Sequence, residues 1–281
     1  MLLLVPADPL DPRRPDEHFA PDASAARSSG AAVAIVDDDL LRQGDPDGAV
    51  KRVPHGSGEG VFRGWMLRSR EYANLAAALR THGVELRTSP EMYARAHELP
   101  GWYAHFEELT ATSAWLTTVG TDGLADALGQ LPSGAAVIKD YVKSEKHYWS
   151  EAAFVPDVED VEGATAVASR FIELRGADIV GGVVVRAFER YCGPEIRTWW
   201  IGGRHVLSTP HPDTPDAAVP DVDTTHVESA VAALDCRFIT VDLALREDGA
   251  WRVIEVGDGQ VSDLPEGQDP APLIQSLIAA S

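Results

Sequence analysis

The spacing of apolar and polar residues along the chain predicts alternating strands and helices. Short apolar runs at 1–7 and 31–37 are typical of buried strands, and a Pro- and Asp-rich loop separates them. Further strands are predicted at 61–66, 84–87, 113–118, 135–139, 148–155 and 179–188. Helices are predicted at 23–30, 69–82, 90–98, 123–131, 162–175, 225–234 and 270–280. Hairpins are predicted at 195–208 and 238–261.

The order of these elements predicts an α/β protein with two parts. Strands alternate with helices up to about residue 111, which predicts a small and largely parallel α/β unit. From residue 112 the character of the chain changes. We therefore expect one domain at 1–111 and a second at 112–281.

The hairpin at 238–261 carries the first candidate chemistry. Asp248-Gly249 favours a two-residue loop because both positions tolerate positive φ, and with that loop Asp242 lies opposite Glu255. Carboxylates at cross-strand distance repel each other unless a cation lies between them. Oxygen ligands of this kind suit Mg²⁺. The alternative interpretation is a solvated acidic face, which is common in an acidic protein.

Composition narrows the classes of partner. The 281 residues carry a formal net charge of -20, which argues against nucleic acid as the main partner, since that affinity depends on basic patches. Two cysteines are too few for a disulfide framework or a zinc cluster. The opening Met1–Val5 run has no basic flank, and no apolar run approaches the roughly 20 residues that span a bilayer. We expect a cytoplasmic protein with no membrane partner.

Lysine is rare and concentrated, whereas arginine occurs throughout. The four lysines are Lys51, Lys139, Lys143 and Lys146, so three of them fall within eight residues. Lysine and arginine are not equivalent where a compact point charge is needed, so the cluster indicates a specific task.

Two other features have open interpretations. Arg186 ends a strongly apolar run and needs a partner, either a phosphate or a nearby Glu in an internal ion pair. The glycine-rich stretch 56–60 favours a flexible loop over a phosphate-cradling loop, because a strand and not a helix is predicted after it.

Three segments, in this order, resemble the ATP-grasp superfamily. They are a strand ending in lysine at 137–139, a strand followed by Gly-Pro-Glu-Ile-Arg at 185–197, and the hairpin acids Asp242 and Glu255. The second segment is similar to the corresponding part of ATP-grasp glutamate ligases that modify ribosomal protein. The preceding α/β unit looks like the domain that usually comes before an ATP-grasp fold.

A bacterial and phage clade of this superfamily, distinguished by an arginine and paired lysines, offers a more specific resemblance. The residues that carry it are Lys139, Lys143, Arg186 and the segment 255–261. The resemblance covers roughly residues 112–265. It implies an ATP-grasp fold of two α+β subdomains, at about 112–186 and 187–281, after a small α/β domain.

The resemblance also implies nucleotide-binding roles. Lys139 matches the lysine on the nucleotide phosphates, and Lys143 adds a second contact of that kind. Ala187 and Phe188 fall where backbone groups read the adenine edge. Glu195 matches the acid that binds the ribose hydroxyls.

Metal-binding and catalytic roles are implied in the same way. Asp242 and Glu255 match the Mg²⁺ ligands, with Mn²⁺ as an alternative ion. Arg197 matches the arginine near the transferred phosphoryl group, and Lys143 and Arg186 join it as catalytic candidates.

One position departs from the family pattern. Related families commonly have Asn two residues beyond the second metal-binding acid, and Gly257 occupies that position here. Asp258 is therefore the candidate third ligand. No general base is assigned, because lone histidines such as His147, His205 and His211 are more often surface or packing residues.

The implied activity is an ATP-dependent ligation of a carboxylate and an amine through an acyl phosphate, releasing ADP and phosphate. The substrates implied are small-molecule or peptide carboxylates and amines, and a homodimer is left open. Arg63, Trp65 and Trp102 either line an acceptor pocket or pack between domains.

Three alternatives to ligation stay open. They are a kinase on the same scaffold, a non-catalytic ATP-binding module, and a nucleotidyl transferase with Lys139 as nucleophile. The last usually shows Lys-x-Asp-Gly, whereas Lys139 is followed by Asp140-Tyr141-Val142.

Overall fold

A computed structural model describes residues 1–280. Contacts between Cα atoms divide the chain into two compact units. Unit 1 comprises Met1–His97, Pro194–Leu243 and Glu255–Ser281, and unit 2 comprises Glu98–Gly193 and Ala244–Ile254. The domain bounds expected from the sequence, at residues 111 and 186, stay a prediction.

The amino-terminal part of unit 1 is the predicted parallel sheet with helices. Its strands are β1 (Leu2–Pro6), β2 (Ala32–Val36), β3 (Gly58–Phe62) and β4 (Val84–Leu86), in the spatial order β2-β1-β3-β4. Its helices are α1 (Ala20–Ser28), α2 (Asp38–Arg42), α3 (Pro46–Val50), α4 (Ser69–Thr81) and α5 (Pro90–His97). Every residue of β1 is buried, as expected for a central strand of a parallel sheet. The glycine-rich stretch belongs partly to β3, because Gly58-Glu59-Gly60 pairs with β4.

The rest of unit 1 is built on an antiparallel sheet. Its strands are β9 (Ile196–Ile201), β10 (Arg204–Pro210), β11 (Phe238–Leu245) and β12 (Trp251–Asp258), in the order β10-β9-β11-β12, and the last residues of β11 and the first of β12 belong to unit 2. Two helices accompany them, α9 (Thr225–Leu234) and α10 (Ala271–Ala279). Leu3, Trp199, Phe238 and Leu273 share one apolar core, which therefore joins the two sheets of unit 1.

Unit 2 contains a second antiparallel sheet. Its strands are β5 (Ser113–Trp115), β6 (Ala136–Lys139), β7 (Phe154–Val155) and β8 (Val184–Ala187), in the order β5-β8-β6-β7. Its α-helices are α6 (Leu99–Phe106), α7 (Leu124–Leu128) and α8 (Val161–Arg175), with 3₁₀ turns at Glu107–Leu109, Lys146–Tyr148 and Gly176–Asp178 and a π-helical turn at Trp149–Ala153. The core lies between the sheet and the helices, around Ile138, Phe171 and Val185.

The strand predicted at 148–155 is wrong over most of its length. Only Phe154–Val155 is strand, and the preceding residues form helical turns. The Trp149 ring packs on Phe154 and Phe188, with centroids 5.4 and 6.1 Å apart. Aromatic packing favours the turn over an extended strand here. The strand predicted at 179–188 is shorter than expected for a related reason, since Gly181 has a φ of 66°.

The hairpin of β11 and β12 forms as predicted, but its loop has three residues and not two. The Arg246 N–H donates to Ala250 O at 2.8 Å, and the Gly249 N–H donates to Arg246 O at 2.9 Å. Gly249 has a φ of 88°, which is the left-handed residue that closes a three-residue loop. At the far end the Gly259 N–H donates to Phe238 O, so β12 contains one more residue than β11 between the two bonds. One extra residue in a strand is a β-bulge.

A bilayer-spanning helix, which needs both length and an apolar sequence, is absent from residues 1–280.

Gly182, just before β8, lies where the backbone leaves no room for a side chain. A Cβ there would overlap the carbonyl oxygen of Leu116, an atom that cannot move independently of its strand. We expect Gly182→Ala to lower the free energy of unfolding by at least about 2 kcal/mol in urea denaturation. Gly129→Ala is the matched control, because its Cβ would lie 3.4 Å from the nearest atom. Equal losses in the two variants would contradict this account.

Candidate functional site

The centre of the candidate site is an ion pair between neighbouring strands. Arg197 on β9 lies directly opposite Asp242 on β11 in the antiparallel register. The Arg197 Nε donates to Asp242 Oδ1 at 2.9 Å, and Nη2 donates to Asp242 Oδ2 at 2.8 Å. The Asp242 residue is 2% exposed. A two-pronged, charge-assisted pair of this kind fixes both side chains and satisfies both carboxylate oxygens.

Two further side chains join this pair from the ends of β9 and β10. The His211 N–H donates to Glu195 O, which extends the β9–β10 ladder by one step. The His211 Nε2 lies 3.6 Å from Asp242 Oδ2 and 3.9 Å from Glu195 Oε2, and it accepts from Arg197 Nη2 at 3.2 Å. Potential ligand atoms of Glu195, His211 and Asp242 all lie within 4.8 Å of one another.

The charges around Arg197 are mostly negative. Burial lowers the pKa of Arg197, but the charge of Asp242 and its hydrogen bonds, with the charges of Glu255 and Asp263, outweigh burial and raise it. Asp242 and Glu255 therefore lie near the same guanidinium. Several carboxylates around one guanidinium leave an excess of negative charge, which fits a divalent cation.

The donor atoms test whether a metal ion fits this cluster. The carboxylates supply the oxygen ligands that Mg²⁺ prefers, whereas His211 supplies a nitrogen that suits Mn²⁺ better than Mg²⁺. Asp242 can accept a cation only where Arg197 releases at least one of its oxygens. In residues 1–280, Glu195, His211 and Asp242 form the single such group of three, so Glu255 and Asp258 stand outside it.

Asp258 lies in a different, fully buried polar pocket of unit 1. Its Oδ1 accepts from the N–H of Gln260 at 3.0 Å and from Gln260 Nε2 at 3.1 Å. Its Oδ2 has no hydrogen-bond partner among the described atoms. Burial raises the pKa of Asp258 to about 7, although its bonds to Gln260 lower it. The structure therefore does not bring Asp258 to the Arg197 cluster.

In unit 2 the paired lysines follow a tightly held turn. Lys139 ends β6, and Asp140 after it is fully buried. The Asp140 Oδ1 accepts from the N–H groups of Val142 and Lys143 at 2.7 and 2.6 Å. Its Oδ2 accepts from Arg175 Nη2 at 3.3 Å. Asp140 thus holds the backbone that presents both lysines.

Arg186 is also in unit 2, in the centre of β8 and opposite Val137 of β6. Its Nη2 donates to Thr110 Oγ1 at 3.0 Å and to Val253 O at 3.1 Å. These partners are neutral oxygens, so the contacts match neither the phosphate nor the internal Glu pair considered for this residue. The contacts hold β8 against residues 110 and 253, both of which belong to the same unit.

Ala187 and Phe188 end β8 at the edge of a cavity in unit 2 of roughly 530 Å³. The cavity is lined by residues 132–135, 187–190 and 246–248. Glu189 holds two of these segments together, since it accepts from Arg246 Nη1 at 2.9 Å and from Arg252 Nε at 3.3 Å. Burial raises the pKa of Glu189, but bonds from Arg252, Tyr191 and Arg246 outweigh burial and lower it.

The family match covers most of these residues. The matching family model is that of the ATP-grasp domain, family 3 of the clade named for one arginine and two lysines. It matches residues 127–277, which is more than half of the chain. The chain belongs to this ATP-grasp family. The predicted superfamily is thereby confirmed, and so is the predicted α+β fold class.

Solved ATP-grasp structures resemble the whole chain. A RimK domain protein from Sphaerobacter thermophilus aligns with a TM-score of 0.64 and 16% identity, covering 99% of this chain and 100% of that one. D-cycloserine synthetase DcsG aligns at 0.63 and 17%, covering 100% and 99%. The ATP-grasp ligase PsnB, complexed with minimal precursor, Mg and ADP, aligns at 0.60 and 12%, covering 99% and 97%. At these identities the likeness shows the fold. Among curated protein sequences no significant match is found.

Sequence reasoning about this ATP-grasp chain missed three residues that the geometry singles out. His211 follows a strand by one residue, and only the register of β9 with β10 brings it to Glu195. Asp140 and Glu189 act through their contacts with backbone and arginines. The available signal was position, because each directly follows or nearly follows a strand that carries a motif residue.

The burial of Asp258 predicts a pH-dependent stability. Its pKa in the folded state, about 7, exceeds the roughly 4 of an unfolded Asp, so the folded state holds a proton that the unfolded state has lost. Stability should therefore fall as pH rises from about 4 to about 7. We expect Asp258→Asn to be more stable than the natural protein at pH ~8 by an amount on the order of 2–4 kcal/mol, and to differ much less at pH ~5.

Urea denaturation at these two pH values measures this difference. Asp122→Asn, at an exposed position, is the control and should show no such dependence. A stability gain for Asp258→Asn that is the same at both pH values would rule out titration of Asp258 as the cause.

Proposed function

We propose that the protein is an ADP-forming ligase that joins a carboxylate to an amine through an acyl phosphate. The observation that carries the proposal is the match of residues 127–277 to the ATP-grasp family, a span that includes every predicted site residue. Structures with the same fold support it, since they include a ligase complexed with precursor, Mg and ADP, and the D-alanyl-alanine synthetase A of Vibrio cholerae. Small-molecule or peptide substrates and a cytoplasmic location belong to the same proposal.

The residues of unit 2 would bind the nucleotide. Lys139 and Lys143 supply compact positive charges for the phosphates, on a turn that Asp140 fixes. Ala187 and Phe188 offer backbone groups to the base at the edge of the 530 Å³ cavity. Phosphoryl transfer depends mainly on positioning and charge stabilisation, so these binding roles are also the catalytic ones.

The residues of unit 1 would serve the transferred group. Asp242 and Glu255 would hold Mg²⁺, which supplies positive charge to the nucleotide phosphates when bound. Arg197 would then release at least one oxygen of Asp242 and pair with the phosphoryl group. Glu195 would accept hydrogen bonds from the ribose hydroxyls. The ion pair with Asp242 thus keeps Arg197 in place until a second cation balances that carboxylate.

Product analysis tests the reaction class. With a mixture of candidate acids and amines, we expect ADP and phosphate to form in equal amounts with an amide product. Release of AMP and pyrophosphate would reject the proposal. Phosphate retained in the organic product would identify a kinase, and ATP binding without turnover under any mixture would identify a binding module.

Removing one metal-binding acid should abolish turnover. We expect Glu255→Gln to lower kcat by about 100-fold or more and to raise the Mg²⁺ concentration needed for half activity. Glu255→Gln is a cleaner test than Asp242→Asn, because the latter also leaves Arg197 without its ion-pair partner. Glu107→Gln, at an exposed position, is the control. Full activity of Glu255→Gln would support the solvated acidic face instead.

A further inference from the structure

A second cavity, of roughly 430 Å³, lies in unit 1 at the carboxyl end of the parallel sheet. The chain passes from β1 to β2 on one side, and β3 lies on the other side of β1. In open α/β sheets, ligands bind outside the carboxyl ends of the strands where the strand order reverses in this way. Arg63 follows the last residue of β3 and lines the cavity. The topology therefore favours a ligand at this position.

The positive charge in the cavity wall is already neutralised. Arg63 is 1% exposed, and its Nε donates to Asp22 Oδ1 at 3.0 Å. Its Nη1 donates to the carbonyl oxygens of Gly259 and Ser262, each at 2.7 Å. Arg63 and Asp22 thus form a closed, buried pair, and Arg63 offers no free charge for an anionic ligand.

The remaining charges of the wall are negative in sum. Asp263 and Glu266 line the cavity, and the only other titratable lining residue outside the Arg63 pair is His18. The His18 Nε2 lies 3.0 Å from Asp263 Oδ1, and both side chains are partly exposed. Whether His18 is neutral or protonated, one or two negative charges are left over. Such a cavity favours a cation.

The same cavity borders the Arg197 cluster within unit 1. Arg197 Nη1 donates to the backbone oxygen of Asp263 at 3.1 Å. Pro212, which directly follows His211, also lines the cavity. A ligand held by the Asp263 carboxylate would therefore lie beside the residues assigned to the transferred phosphoryl group.

We propose that this cavity binds the amine substrate as a small cation, with Asp263 as its ion-pair partner. The inference rests on the proposed ligase function and names the chemical class of the acceptor. A volume of roughly 430 Å³ lies in the range of small-ligand sites and accommodates a molecule of amino-acid size. Proline and apolar residues form the rest of the wall, so the cavity is rigid before the ligand arrives.

Three probes with one skeleton and different charge test the proposal. L-Alaninamide is cationic, L-lactamide is neutral and L-lactate is anionic. Titration of each into the full-length protein without nucleotide, followed by NMR, should show saturable binding of L-alaninamide alone. Asp263→Asn should weaken that binding by about tenfold or more. Asp221→Asn, which removes an exposed acid outside the cavity, should leave it unchanged.

Three results would overturn the proposal. They are tighter binding of L-lactate, no saturable binding of L-alaninamide, and equal affinity for L-alaninamide in Asp263→Asn and the natural protein. The binding assay involves no turnover, so it separates this inference from the ligase proposal. Binding of L-alaninamide without ligation in the product assay would leave a cation site and remove only its assigned role. In the active enzyme, Asp263→Asn should raise the KM for the amine more than it lowers kcat.

Discussion

The buried pair between Arg197 and Asp242 is the interaction on which the rest of the site depends. Removing one partner of such a pair leaves an uncompensated charge, which costs about 3–5 kcal/mol. The register of β9 with β11 makes the pair possible, and the apolar core under those strands fixes the register. Any cation that binds Asp242 must therefore compensate for the loss of a guanidinium. This requirement ties metal binding to the release of Arg197.

The division of labour between arginine and lysine follows from the same physics. Arg63, Arg186 and Arg252 use their several donors to hold carbonyl oxygens and carboxylates inside the protein. A planar guanidinium with fixed donors suits these multiple, partly buried contacts. Lys139 and Lys143 instead stand on a turn held by another residue, as befits point charges kept for a ligand. The scarcity of lysine elsewhere in the sequence agrees with this division.

Much of the fold could be predicted from apolar spacing, because buried strands such as β1 and β6 leave a strong pattern. The placement of Asp242 near another acid and Arg197 also followed from strand alternation. The three-residue loop and the bulge in β12 did not, since one glycine conformation decides between loops of two and three residues. His211 was missed because its partner is set by pairing across a hairpin and carries no local signal. The depth at which Asp258 is buried was equally invisible in the sequence.

Gly257 shows why the departure from the family pattern matters. A Cβ at this position would lie 3.0 Å from Thr240 Oγ1 and 3.1 Å from Ser262 Oγ. These two hydroxyls are hydrogen-bonded to each other at 2.8 Å, so neither can move away without losing its partner. An Asn at residue 257 would therefore need this bond to open. Because Asp258 is buried elsewhere, Glu195 and His211 are the side chains best placed to supplement the carboxylates of the cluster.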